Sequence, residues 1–104
     1  MTVIEETSKI LFDFLSRFGS GSVLRRGDVS VTIRAYRQGD GSVVCGTREI
    51  LDAQWPGGTV GAFDTHRPKD GDKLIFLGLV NTIERVSTTA INGVDIRHDM
   101  HLIP

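Results

Sequence analysis

Residues 68–86 read Pro-Lys-Asp-Gly-Asp-Lys-Leu-Ile-Phe-Leu-Gly-Leu-Val-Asn-Thr-Ile-Glu-Arg-Val, and no other stretch limits the fold of this chain as tightly. Asp70-Gly71 is a turn whose glycine tolerates positive φ. Residues 73–77 form a short apolar strand, and Gly78 permits a tight reversal into a second strand over 79–87. A β-hairpin with its own preceding turn is expected there. It defines an architecture rather than a chemistry, because none of its side chains is arranged as a reactive group.

The N-terminus is of a different kind. Val3, Ile4, Ile10, Leu11, Phe14, Leu15 and Phe18 recur at helical spacing, with Glu5, Glu6, Lys9, Asp13 and Arg17 falling largely between them, which predicts an amphipathic helix over 3–18. Thr2 and Glu5 form a capping box, and Gly19 is the stop. Acidic residues in the first turn and Arg17 in the last suit the helix dipole. After Gly19-Ser-Gly-Ser22 no helical period returns. Val29, Val31, Ile33 and Ala35 alternate with Ser30, Thr32, Arg34 and Tyr36, the two-residue period of a half-buried strand. Gln38-Gly-Asp-Gly41 is a turn, and residues 42–45 suit a returning strand. Residues 48–52 fit either a strand or a helical turn. Between 53 and 69 the Pro- and Gly-rich composition predicts a long excursion with at most one short strand near 59–63. Asn92-Gly93 then turns the chain into a last strand, with Val94, Ile96, His98, Met100 and Leu102 on one face and Asp95, Arg97, Asp99 and His101 on the other.

These elements predict one domain over residues 1–104, a helix over 1–19 and a β unit over 20–104. The fold class is α+β and mainly β: an N-terminal amphipathic helix followed by a small antiparallel β-barrel or sandwich of about five to seven strands, with one long loop. A chain of 104 residues buries roughly 60–65% of its unfolded surface, enough to fold alone with little stability to spare.

Composition narrows the function. Twelve Lys and Arg against 13 Asp and Glu leave a net charge of -1, where a dedicated nucleic-acid binder carries a basic excess. The single Cys45 excludes an internal disulfide and a cysteine-based zinc cluster, and fits a buried thiol folded in a reducing compartment. No apolar run reaches the ~18 residues of a membrane span, and the N-terminus lacks a signal-peptide pattern. A soluble protein made in a cytoplasm, with no membrane partner, is expected.

Candidate chemistry is sparse. His66, His98 and His101 lie near Asp64, Asp95 and Asp99, but on a strand His98 and His101 point to opposite faces and cannot ligate one ion without a bulge. Cys45 has no basic neighbour in sequence, and no serine sits in a nucleophile elbow. The glycines after the helix follow it rather than precede it, the reverse of a dinucleotide-binding loop. No catalytic residue, metal ligand or cofactor is therefore expected, and the chain is read as a non-enzyme. Arg26-Gly27-Asp28 reads as a solvated turn. Arg25, Arg26, Arg34 and Arg37 cluster along one strand and its ends, which suits a solvated face, a protein interface or, less well, DNA. Trp55 either caps the barrel or anchors a protein contact.

The order of these features resembles a known family. A helix with a glycine exit, Leu24-Arg25-Arg26 leading into an alternating strand, a long excursion, the hairpin marked by Pro68, Gly71, Asp72, Leu74, Gly78, Ile83 and Val86, and a Gly93-initiated last strand look like the head-closure, or stopper, proteins of tailed bacteriophages. The hairpin is the specific part. The strand after Gly78 carries Asn81-Thr82 where the family often has an aromatic residue, and the central segment is shorter and rewritten around Trp55. The resemblance implies a homo-oligomeric ring of six or twelve subunits in the virion neck, with portal and adaptor proteins on the head side. A tail terminator or tail tube lies on the other side, and contact with packaged DNA is transient. The arginine-bearing face with Asp95 and Asp99 is then a subunit or partner interface. The long loop, with Gln54, Trp55, Gly57, Gly58, Gly61 and Asp64, gates the channel. Two alternatives stay open: a tail-terminator or tail-completion ring, and a small OB-like or SH3-like binding module, for which Tyr36, Trp55 and Phe63 are scattered rather than clustered.

Overall fold

The computed structural model describes residues 3–47 and 67–103. Among these residues one helix, α1 (Val3–Phe18), precedes six strands: β1 (Ser20–Arg26), β2 (Val29–Arg37), β3 (Val43–Gly46), β4 (Lys73–Phe76), β5 (Leu79–Ile91) and β6 (Val94–Ile103). They close into an antiparallel barrel in the order β1-β2-β3-β6-β5-β4, with the last seam formed where Ser22 pairs with Phe76 and Arg25 with Lys73. Closure removes the free sheet edges that would otherwise invite indiscriminate pairing.

The helix forms over the residues expected. β1 begins at once after Gly19, however, so Ser20, Gly21 and Ser22 are strand residues rather than a loose exit. Gly19 is required for that abrupt change of direction. A Cβ there would stand 2.6 Å from the Leu15 carbonyl oxygen and 3.2 Å from that of Ala35, so only glycine lets helix and strand meet this closely. The hairpin at 68–86 is also present, with β4 one residue shorter than its apolar run because Leu77 belongs to the turn, and with β5 running on to Ile91.

Alternation builds the core. Leu24, Val31, Ile33, Ala35, Val43, Cys45, Leu74, Phe76, Ile83 and Met100 point inward and form one buried cluster. Each fully buried aliphatic or aromatic side chain contributes about 1.5–3 kcal/mol by its removal from water. Cys45 belongs to this cluster as an apolar filler. All four residues of β3 are buried, because the barrel encloses one face of the strand and α1 packs over β2, β3 and β6 outside it. Leu15, fully buried, is the residue through which the helix is anchored.

Candidate functional site

Most of the charged residues in described segments turn out to bind the chain to itself. Arg26, at the end of β1, donates from Nε to Asp72 Oδ1 at 2.9 Å and from Nη2 to Oδ2 at 3.0 Å, and also to the Arg67 carbonyl at 3.0 Å. Asp72 is buried, and its Oδ2 also accepts the Lys69 amide at 2.9 Å. The flanking backbone is held by Gly71 N–H to the Ile83 carbonyl and Ile83 N–H to the Asp72 carbonyl, both at 2.8 Å. With Gly71 at a φ of 88°, the Pro-x-x-Gly-Asp turn is thus clamped between β1 and β5. Its buried Pro68 and Asp72 fix where the β4–β5 hairpin starts.

Arg34 is committed to the helix. Its guanidinium donates to the carbonyls of Leu15, Ser16 and Gly19, a cation placed on the negative end of the helix dipole. Arg37 lies over the Phe76 ring at 5.4 Å, a cation–π contact, and Arg25 is exposed on β1. Asp95 receives Arg67, with Nη2 to Oδ1 at 2.7 Å. That hydrogen bond holds the Asp95 carboxyl below its usual range and raises Arg67 in turn. Asp99 accepts from Arg97 and Gln38, both at 2.6 Å. Burial acts to raise the Asp99 carboxyl, and these two partners more than reverse it. Asp40 is lowered by the Ser42 hydroxyl and amide that donate to it. The arginines and aspartates read from the sequence as one interface are therefore dispersed. Arg26, Arg34, Asp95 and Asp99 serve contacts within the subunit, Arg37 lies on the surface against Phe76 and the Gly41 carbonyl, and Arg25 is exposed. The proposed gating residues Gln54, Trp55, Gly57, Gly58, Gly61 and Asp64 lie outside the described residues, as does His66.

His98 is the most unusual titratable group. It is completely buried, with Nε2 2.9 Å from Thr47 Oγ1 and Nδ1 2.9 Å from Thr88 Oγ1. Burial pushes its pKa down to about 4, so near neutral pH it is an uncharged imidazole, with one nitrogen donating and the other accepting. Both ring nitrogens are engaged, and His98 ties the end of β3 to β5 across β6. Among the described residues no group of three or more His, Cys, Asp or Glu is placed to hold a metal ion.

Exposed apolar surface concentrates in two places. On α1, Val3, Ile10, Phe14 and Phe18 make an outward stripe beside the buried Leu15. Phe14 stacks at 5.2 Å on Phe18 and meets Tyr36 edge-on at 5.0 Å. Under this stripe a groove of about 380 Å³, lined chiefly by Ile10, Leu11, Phe14, Tyr36, Val44 and Ile96, opens between the helix and the barrel wall. The second place is the β4–β5 tip, where Leu77, Leu79 and Val80 are each more than half exposed. Neither was singled out from the sequence, yet both leave a trace in it. The apolar arc of α1, from Val3 and Ile10 round to Leu15, is wider than one packing seam needs, and a leucine stands where a two-residue hairpin turn favours asparagine.

Comparison of the chain with protein-family models, with curated proteins and with solved structures finds no match.

Proposed function

We propose that this chain is a structural protein of the tailed-bacteriophage neck, of the head-closure or stopper kind. In this reading it forms a ring of identical subunits that closes the DNA channel below the portal and adaptor and docks the tail. The observation that carries the proposal is the hairpin whose sequence motif resembles that family. Pro68, Gly71 and Asp72 form a clamped turn, Leu74 and Ile83 enter the core, and Gly78 reverses the chain at a φ of 79°. The motif thereby becomes a fixed hairpin of the barrel wall whose turn carries bare aliphatic side chains, a surface suited to a protein neighbour rather than to a small molecule.

The charge pattern supports the same reading. A plug must withstand packed DNA without gripping it, and a net charge of -1, with Arg26 and Arg34 committed internally, is not the basic excess of a surface that tracks phosphates. Detection of the chain by a peptide assay in gradient-purified virions, DNA-filled heads and free tails tests the proposal. Presence in virions and filled heads but not in free tails is expected. Presence in free tails would move the chain to the tail-terminator class, and absence from every particle would refute a structural role in the virion.

A further inference from the structure

Two hairpins of the barrel turn in the same way. Asn92 and Gly93 have φ of 50° and 79° between β5 and β6, and Leu77 and Gly78 have φ of 52° and 79° between β4 and β5. Positive φ at both central positions is the type I′ pattern, which favours Asn-Gly. The chain satisfies that preference at one hairpin and breaks it at the other. Left-handed backbone is disfavoured for leucine, and the Leu77 side chain gains no compensating burial, being 67% exposed beside Leu79 at 66% and Val80 at 55%. Local propensity and core packing both argue against this arrangement, and a contact beyond the subunit accounts for it.

A receiving surface lies on the same chain. The groove under α1 is apolar and about 380 Å³ in volume, room for a pair of aliphatic side chains. Among the described residues, Arg97 is the one cation at its margin, and it is drawn off to Asp99 and Gln38, so it offers an aliphatic guest no unsatisfied charge. In the barrel order β1-β2-β3-β6-β5-β4, β4 stands across from β3, and α1 covers β3. The tip therefore springs from the side of the barrel opposite the groove.

We infer that Leu77 and Leu79 of one subunit enter the α1 groove of a second copy of this chain, an inference that rests on the ring reading above. A knob and a groove on opposite sides of one subunit make a heterologous contact, in which each copy gives once and receives once, and such contacts close into a ring when the rotation permits. The area involved also favours a ring over a pair. Leu77 and Leu79 together withdraw on the order of 200 Å² from water, well short of the ~800 Å² per partner of a stable pair. A lone pair of copies is weak, whereas a subunit inside a closed ring is held on both sides and leaves only when two contacts break.

Sedimentation velocity over a concentration series of the full chain tests this, with two variants. Leu77→Asn gives the turn the residue it favours, so its melting temperature is at or above that of the parent chain and a loss of assembly does not arise from unfolding. Ile10→Asp changes a helix position that is 70% exposed at the groove. The parent chain is expected to assemble beyond a dimer as concentration rises, and each variant to weaken association by about tenfold or more. An equimolar mixture of the two variants retains one competent tip and one competent groove, so it goes no further than weak one-to-one dimers, populated at the top of the concentration range. Variants that assemble like the parent chain would overturn the tip-and-groove contact and leave the ring reading standing. A mixture that assembles beyond a dimer as the parent chain does would overturn the heterologous geometry, and a parent chain that stays monomeric throughout would overturn both readings.

Discussion

His98 couples the stability of the barrel to pH over a defined window. An unfolded histidine titrates near 6.5, whereas the buried His98 titrates at about 4, so between these values the unfolded chain binds a proton that the folded chain refuses. Stability from this group is fully present above pH 6.5 and is lost as pH falls toward 4, with a slope of about 1.4 kcal/mol per unit in mid-window. From pH 7 to pH 4.5 the loss integrates to about 2.5 kcal/mol, a large share of the roughly 5–15 kcal/mol that holds a domain folded. The lowered carboxylates of Asp40, Asp95 and Asp99 act in the same direction but below their ordinary value of 3.8, so the two windows separate. Denaturant unfolding at half-unit pH steps, on the parent chain and on His98→Gln, reads the difference directly. The variant starts less stable, having lost a packed ring that bridges Thr47 and Thr88, but its pH slope between 6.5 and 4.5 should fall by most of one proton. Equal slopes in the two proteins would refute the argument, as would an NMR titration of the His98 ring with its midpoint near 6.5.

Other expectations follow from the internal charges and the helix junction. Arg34→Met removes the cation from three helix-end carbonyls and should cost about 1–2 kcal/mol, with helical signal in far-ultraviolet circular dichroism melting before the barrel. Asp72→Ala leaves Arg26 without its carboxylate and frees the Lys69 amide; a loss of about 2–4 kcal/mol in chemical denaturation is expected, and a near-neutral result would mean the turn does not depend on this clamp. Gly19→Ala forces a Cβ against the Leu15 carbonyl and should destabilise by about 1–3 kcal/mol, unlike the same change at Gly21, where nothing lies within 4 Å. Assembly, being apolar, should survive sodium chloride at about 1 M, where charges are screened beyond roughly 3 Å, and strengthen in sodium sulfate; dissociation by sodium chloride would point to charged contacts instead.

Local patterns in the sequence carried the fold further than they carried the surface. The helix over 3–18, the strand alternation of 29–36 and the Asn92-Gly93 reversal each depend on residues close in sequence, where period and turn chemistry decide the outcome. β1 was harder to see because Ser20, Gly21 and Ser22 have little strand propensity and become a strand only through partners at Arg34, Ile33 and Phe76, a long-range cause that no local window contains. The arginines show the same limit of a local window. Arg26 finds Asp72 across 46 residues and Arg34 finds the helix end across 15 to 19, so nearness in sequence said nothing about which partner each guanidinium would meet. His98 stood on the correct face of the last strand, yet the Thr47 and Thr88 hydroxyls that make its burial tolerable come from just past the end of β3 and from within β5.

Charged and apolar side chains have in part exchanged their usual places in this subunit. Arg26–Asp72, Arg67–Asp95 and Arg97–Asp99 act as clasps within it, while Leu77, Leu79, Ile10 and Phe18 stand in water. A domain that had only to stay folded and monomeric gains nothing from that exchange, because each exposed aliphatic group forgoes the free energy of burial and invites association. The exchange makes sense when burial is completed by neighbours, for then the clasps keep the isolated subunit rigid and the bare apolar surfaces are covered on assembly. Strain at Leu77 fits the same logic. A turn that could have been relaxed by asparagine, as it is at Asn92, keeps an aliphatic side chain at its apex, and the cost is recovered only in contact with another molecule.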